Sequence, residues 1–265
     1  MYSEKEVREA ISKAVQGGIS LMGKEWLLRE LPLILNNWNI VDELYIPDEQ
    51  LINRLSDFER WCKTKRGEDP GKLMEEVAFL ALRCLKGYEV VKNYQSYAGQ
   101  IDLVVAGSDQ DWVVIMNYLH LDVKYRSIVV EAKNLASRVD DKQFSRFCYH
   151  LQNTFEGTAQ LGIFFTRIGA TGFPKSTKST KETPRQRLLR DSQATQILFH
   201  AKTRKFVVVL EQEDILKLSI PGSLLRILES KIRGIEQWSG LNVDITDKPI
   251  EIDIPPHLLK HITKR

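Results

Sequence analysis

SIVVEAKN, residues 127–134, is an apolar run that closes on a carboxylate and an ammonium. The run predicts a strand. Side chains alternate along a strand, so Glu131 and Lys133 share one face with Val129, while the small Ala132 points to the other. Charged groups in a buried strand are costly unless they are paired or bound to a metal ion. An isolated Glu-x-Lys also suits an ordinary exposed ion pair on an amphipathic strand. The surrounding chain has to decide between the two.

Upstream, GQIDLVV (99–105) places Asp102 after a glycine and inside a second apolar run. Before it, GKLMEEVAFLALRCLKGY (71–88) reads as a helix ended near Gly87, with Glu75 and Glu76 close to its start. Two or three carboxylates converging on one point make a hard oxygen site suited to Mg2+. Such an ion orients a phosphodiester and lowers the pKa of a bound water. A nearby lysine can hold the attacking water and stabilise negative charge in the transition state.

The order of predicted elements runs as follows. SEKEVREAISKAVQ (3–16), GKEWLLRELPLILNNW (23–38) and IPDEQLINRLSDFERWCKTK (46–65) carry helical spacing, the last through Leu51, Leu55 and Phe58. RGEDPGK (66–72) is a polar break. YEVVKNYQ (88–95), the Asp102 run, DWVVIMNYL (111–119) and RSIVVEAKN (126–134) read as four strands. DDKQFSRFCYHLQNTF (140–155) reads as a helix, LGIFFTR (161–167) as a buried strand and PRQRLLRDSQATQILFH (184–200) as a helix with Pro at its start. KFVVVLEQEDILKL (205–218) is strand then helix, and PGSLLRILESKIRGIEQW (221–238) a last helix. The expected organisation is a helical N-terminal region over 1–66, an α/β domain over 67–240 and a C-terminal extension over 241–265.

Taken together, GKLMEEVAFLALRCLKGYEV, YAGQIDLVVAG, SIVVEAKN and GIFFTR resemble the PD-(D/E)xK nuclease superfamily, and within it the Mrr-type restriction endonucleases. The resemblance covers roughly residues 70–215. It implies a restriction-endonuclease-like core, a central mixed β-sheet flanked by helices, with the helical N-terminal region serving recognition, dimerisation or regulation. The superfamily's proline-aspartate pair is not literal, because Gln100 and Ile101 precede Asp102. Carried over, Asp102, Glu131 and the Ala132 carbonyl are expected to hold Mg2+, with Mn2+ as an alternative, and Lys133 to position the nucleophilic water. The helix acid is Glu75 or Glu76. Glu75 fits the phase of the helix better, and Glu76 the distance to Gly87. Gln143 stands where related nucleases often carry a glutamine, and a solvated helix residue is the competing reading. The implied reaction is attack of water on phosphorus with departure of the 3′ oxygen.

Between 167 and 190 the chain carries Arg167, Lys175, Lys178, Lys181, Arg185, Arg187 and Arg190 against Glu182. This stretch suits contacts to a phosphate backbone, and equally a solvated loop. GATGFPKST (169–177) lacks the Gly-Lys step of a phosphate-binding P-loop, since Pro174 precedes Lys175. Trp26, Trp38 and Trp61 lie in amphipathic stretches and read as core or interface anchors rather than base-stacking platforms.

Composition sets the bounds. The 265 residues are 43% hydrophobic and 28% charged, with a net charge of +3, which is ordinary globular chemistry and too weak a charge to name a partner. Cys62, Cys84 and Cys148 show no metal spacing and read as reduced thiols. The charged start MYSEKEVREA argues against a signal peptide, and no apolar run reaches the length of a membrane span. The expected protein is a cytoplasmic, Mg2+-dependent DNA endonuclease of restriction or anti-phage defence, acting as a homodimer without a membrane. The competing readings are a catalytically silent nucleic-acid-binding or assembly subunit, and a nuclease for RNA or branched DNA.

Overall fold

Five strands pair in the order β1-β2-β3-β4-β5, and helices cover both faces of the sheet they form. The structure, a computed structural model, describes residues 40–96, 99–134, 137–171, 173 and 192–240. The helices expected over 3–16 and 23–38, with Trp26 and Trp38, lie outside those residues. So do Lys175, Lys178, Lys181, Arg185, Arg187, Arg190 and the stretch 241–265.

Described elements begin with α1 (Ile40–Leu44), α2 (Glu49–Thr64) and α3 (Pro70–Arg83). β1 (Glu89–Ser96) and β2 (Gly99–Ala106) follow, then α4 (Gln110–Tyr118), β3 (Ser127–Lys133) and α5 (Asp141–Asn153). The chain continues through β4 (Ala159–Thr166), α6 (Ser192–Thr203), β5 (Phe206–Leu210), α7 (Gln212–Leu216) and α8 (Ser223–Ser239). β1, β2 and β3 are antiparallel neighbours, while β3, β4 and β5 run parallel. That is the central mixed sheet flanked by helices which the nuclease resemblance implies. Among the described residues no helix is long and apolar enough to cross a membrane.

Alternation along the strands sorts the core into two layers. Ile128, Val130 and Ala132 face a cluster built with α2, α3, α4 and α8, which includes Leu51, Leu55, Phe58, Leu73 and Met74. Val129 faces the other cluster, built with α5 and α6 around Phe144, Phe147 and Phe164. Phe147 sits 4.5 Å from Phe164 between ring centroids. That approach requires Gly162, where an added Cβ would lie 2.6 Å from the Phe147 ring.

One expected strand is a helix. DWVVIMNYL forms most of α4. Its buried residues Trp112, Ile115, Met116 and Leu119 recur at helical spacing. The intervening Val113 and Val114 are apolar but only partly buried, and they obscured that period. Asp109 caps the helix by accepting the Trp112 N–H at 2.9 Å. Gly107 lets the turn close, since a Cβ there would come within 2.3 Å of the Gly87 carbonyl. The consequence reaches the site: with no strand between them, β2 and β3 are direct neighbours, and Asp102 and Glu131 stand on adjacent strands.

The other face is locked by a buried lysine. Lys205, 4% exposed, donates from Nζ to the carbonyls of Leu151, Phe155, Glu156 and Ala159 at 2.7–3.0 Å. These groups lie in and just beyond the last turn of α5, whose carbonyls have no helical partner. Burial pushes the ammonium down to about 8, a cost that the facing carbonyls oppose. Lys205→Met removes this shared donor, although the Phe155 carbonyl keeps the Thr158 and Ala159 N–H groups, and is expected to destabilise the fold by about 2–4 kcal/mol. Urea denaturation followed by circular dichroism checks this, and an unchanged midpoint would contradict it.

Candidate active site

Pairing between β2 and β3 runs from Ala106↔Ser127 to Leu103↔Val130 and then stops. β1–β2 pairing continues to Ser96↔Gly99, and β3–β4 pairing continues to Lys133↔Thr166. The sheet therefore splits between β2 and β3. Asp102, Glu131 and Lys133 stand at the mouth of that split.

The Asp102 carboxylate takes up the backbone that the split would strand. Its Oδ2 accepts the Ala132 N–H at 2.8 Å, replacing the carbonyl that continued pairing would have supplied. In extended backbone the N–H and C=O of one residue point to the same side. The Ala132 carbonyl therefore also faces β2 and the split, while the Ala132 side chain enters the core.

Glu131 is 4% exposed. Its Oε1 lies 2.8 Å from Lys133 Nζ and 3.6 Å from Arg146 Nη2. Its Oε2 is buried with no hydrogen-bond partner among the described residues. Burial pushes this carboxyl above the usual carboxylate range, and the Asp102 charge adds to the push. Lys133 and Arg146 pull it back only in part. Lys133 also stands 3.9 Å from Asp102 Oδ2. One ammonium thus bridges two carboxylates that would otherwise repel each other.

The two helix acids take different positions. Glu76 accepts a bond from Arg54 of α2, which also binds Asp57 and Glu68. Glu75 is exposed on α3, next to the core residue Met74. Among the described residues no three His, Cys, Asp or Glu side chains converge as a metal cluster. The structure thus joins Asp102 with Glu131 and leaves both helix acids apart from them. Gln143 lies in the first turn of α5, where its N–H donates to the Asp140 cap at 2.8 Å. No bond from its side chain to Asp102, Glu131 or Lys133 is present among the described residues. Arg146, one turn further along α5, is the side chain that reaches Glu131. Sequence reading missed it. The available signal was its i+3 spacing from Gln143, which places both on one helical strip. Arg167 follows Thr166, the β-partner of Lys133, so it lies at the same end of the sheet.

The residues present fit a hard divalent cation. Two carboxylates and a carbonyl direct oxygen into one split, and a buried carboxylate oxygen lacks any other partner. Mg2+ keeps several waters and uses one or two carboxylates, which matches this donor set.

No family model matches the chain, and no curated protein matches it. Among solved structures it is similar to the MspJI restriction endonuclease in complex with a 27-mer oligonucleotide. The identity is 12% and the TM-score 0.30, over 72% of this chain and 35% of that one. The chain thus spans about a third of the length of that protein.

Proposed function

We propose that the protein is a metal-dependent endonuclease that hydrolyses DNA phosphodiester bonds at the β2–β3 split. The observation that carries this reading is the buried Glu131, whose Oε2 has no partner among the described residues while its Oε1 meets Lys133 beside Asp102. A structural ion pair has no need of a second, partly buried carboxylate, nor of a carboxylate oxygen left unbonded. A catalytic centre needs both.

Asp102, Glu131 and the Ala132 carbonyl would hold Mg2+, which when bound supplies Lewis acidity and a water of lowered pKa. Lys133, placed between the two carboxylates, would hold the attacking water. The water oxygen bonds to phosphorus, the bond to the 3′ oxygen breaks, and that oxygen leaves with a proton as a hydroxyl. Asp102 fixes the end of β3 through the Ala132 N–H, so Glu131 and Lys133 are held on a rigid strand rather than a loop. The helix acids stay outside this reading, since among the described residues neither Glu75 nor Glu76 joins Asp102 and Glu131 in a metal cluster.

Arg146 balances Glu131 and is 61% exposed, so it can meet a scissile phosphate as it enters. Arg146→Ala is expected to slow cleavage about tenfold, a modest share of what a directly placed donor supplies. A loss beyond a thousandfold would place it in the chemistry itself.

The test is incubation of the purified protein with supercoiled plasmid, RNA and branched DNA, each with Mg2+ or with EDTA. Magnesium-dependent nicking of the plasmid is expected. Cleavage of RNA or branched DNA alone would redirect the substrate, and cleavage of none would favour a catalytically silent binding subunit.

A further inference from the structure

β3 ends at Lys133, and there the sheet releases the chain on both sides. β2 pairs with β3 only as far as Leu103↔Val130, and β4 only as far as Lys133↔Thr166. Strand ends fray unless something else ties them. Lys133 thus stands where the sheet's own hold on β3 runs out.

Two side chains tie the backbone on either side of it. Before it, Asp102 Oδ2 accepts the Ala132 N–H at 2.8 Å. After it, Asn134 Nδ2 donates to the Pro70 carbonyl in the first turn of α3, also at 2.8 Å. The ties run in different directions, one to the neighbouring strand and one to a helix that covers the sheet. Alternation accounts for the second direction. Ala132 points into the layer that holds Leu73 and Met74 of α3, and Asn134 is two residues further on. The Pro70 end is itself fixed. Asp69 caps α3 by accepting the Gly71 N–H at 2.8 Å, and Leu73 and Met74 are fully buried.

The Asn134 tie is a poor device for stability alone. Its Oδ1 is buried with no hydrogen-bond partner among the described residues. A buried acceptor without a donor offsets what the Nδ2 bond contributes, and an apolar side chain of similar size would avoid that cost. What the amide supplies is a fixed distance between the residue after Lys133 and the start of α3.

We infer that Asn134 is a positioning residue for Lys133. With Asp102 holding residue 132 and Asn134 holding residue 134, the ammonium is kept 2.8 Å from Glu131 and 3.9 Å from Asp102. The inference rests on the nuclease reading and deepens it by naming what keeps the water-holding lysine in place.

The test is single-turnover cleavage of a labelled duplex with Mg2+ over a range of enzyme concentrations, which separates turnover from binding. Asn134→Leu keeps the volume and removes the amide. It is expected to melt close to the native chain, to reach half its maximal rate at the native concentration, and to cleave about tenfold more slowly at saturation. Added to Lys133→Ala, the same change is expected to cost less than about twofold, because nothing is left to position. An equal loss in both backgrounds would make Asn134 a general support of the fold and overturn the inference. A loss confined to the half-saturating concentration would do the same. Should Asn134→Leu not fold, Asn134→Asp keeps the shape without the donor and carries the same comparisons. Native chain that cuts the duplex, with variants that cut equally fast, overturns the positioning role alone. Native chain that cuts no duplex overturns it together with the nuclease reading.

Discussion

Glu131→Gln is expected to lose DNA cleavage by about a thousandfold or more while melting higher than the native chain at pH 7. The carboxylate is buried, one of its oxygens has no bond among the described residues, and its pKa is raised by burial and by Asp102. The sign follows from linkage. Between the ordinary carboxylate value and the raised one, the folded state holds a proton that the unfolded state has released. Stability therefore falls as pH rises through that window, and the full cost of the buried charge is present above it. Glutamine removes that cost. Lys133 is not left alone by the change, because Asp102 remains 3.9 Å away. Thermal melts from pH 4.5 to 8 check this: the native midpoint should drop across the window and the variant's should not. A variant that melts lower throughout would show that the ion pair with Lys133 outweighs the burial cost.

Asp102→Ala is expected to be costly on both counts. It removes a ligand of the proposed ion, lowering cleavage by about a thousandfold. It also leaves the Ala132 N–H at the end of β3 without its acceptor, a loss of about 1–3 kcal/mol. Asp102→Asn separates the two effects. Its carbonyl oxygen can still accept the Ala132 N–H, so stability should return while activity does not. Denaturant titration beside a cleavage assay distinguishes them. Restored cleavage in Asp102→Asn would remove the carboxylate's charge from the mechanism.

Much of this arrangement was legible in the sequence because strand alternation is strict. Glu131 and Lys133 share a face by their spacing alone, and the buried runs around Asp102 and Glu131 predicted strands that the fold contains. DWVVIMNYL misled because its exposed-side valines are as apolar as its core residues, so the helical period of Trp112, Ile115, Met116 and Leu119 was hidden. The neighbour relation of β2 and β3 depended on that element, and local pattern does not encode it. Arg146 and Lys205 escaped notice for a related reason. Each acts on groups far from it in sequence, Arg146 on a strand fifteen residues back and Lys205 on carbonyls some fifty residues away. Periodicity places such residues on a helix or strand but does not say what they meet. The cations on Trp61 belong to the same class. An amphipathic stretch pointed to an anchor, and the ring does pack against the core, yet it also carries Lys65 and Arg167.

The most direct test of the proposed centre sets the native chain beside Lys133→Ala on supercoiled plasmid, with Mg2+ and with EDTA. Lys133 is partly exposed and touches both carboxylates, so its removal strikes the chemistry while the strand keeps its Asp102 tie. The expected result is magnesium-dependent nicking by the native chain, lost in EDTA and reduced at least a hundredfold in the variant. Nicking that persists undiminished in Lys133→Ala would contradict the assignment of the centre.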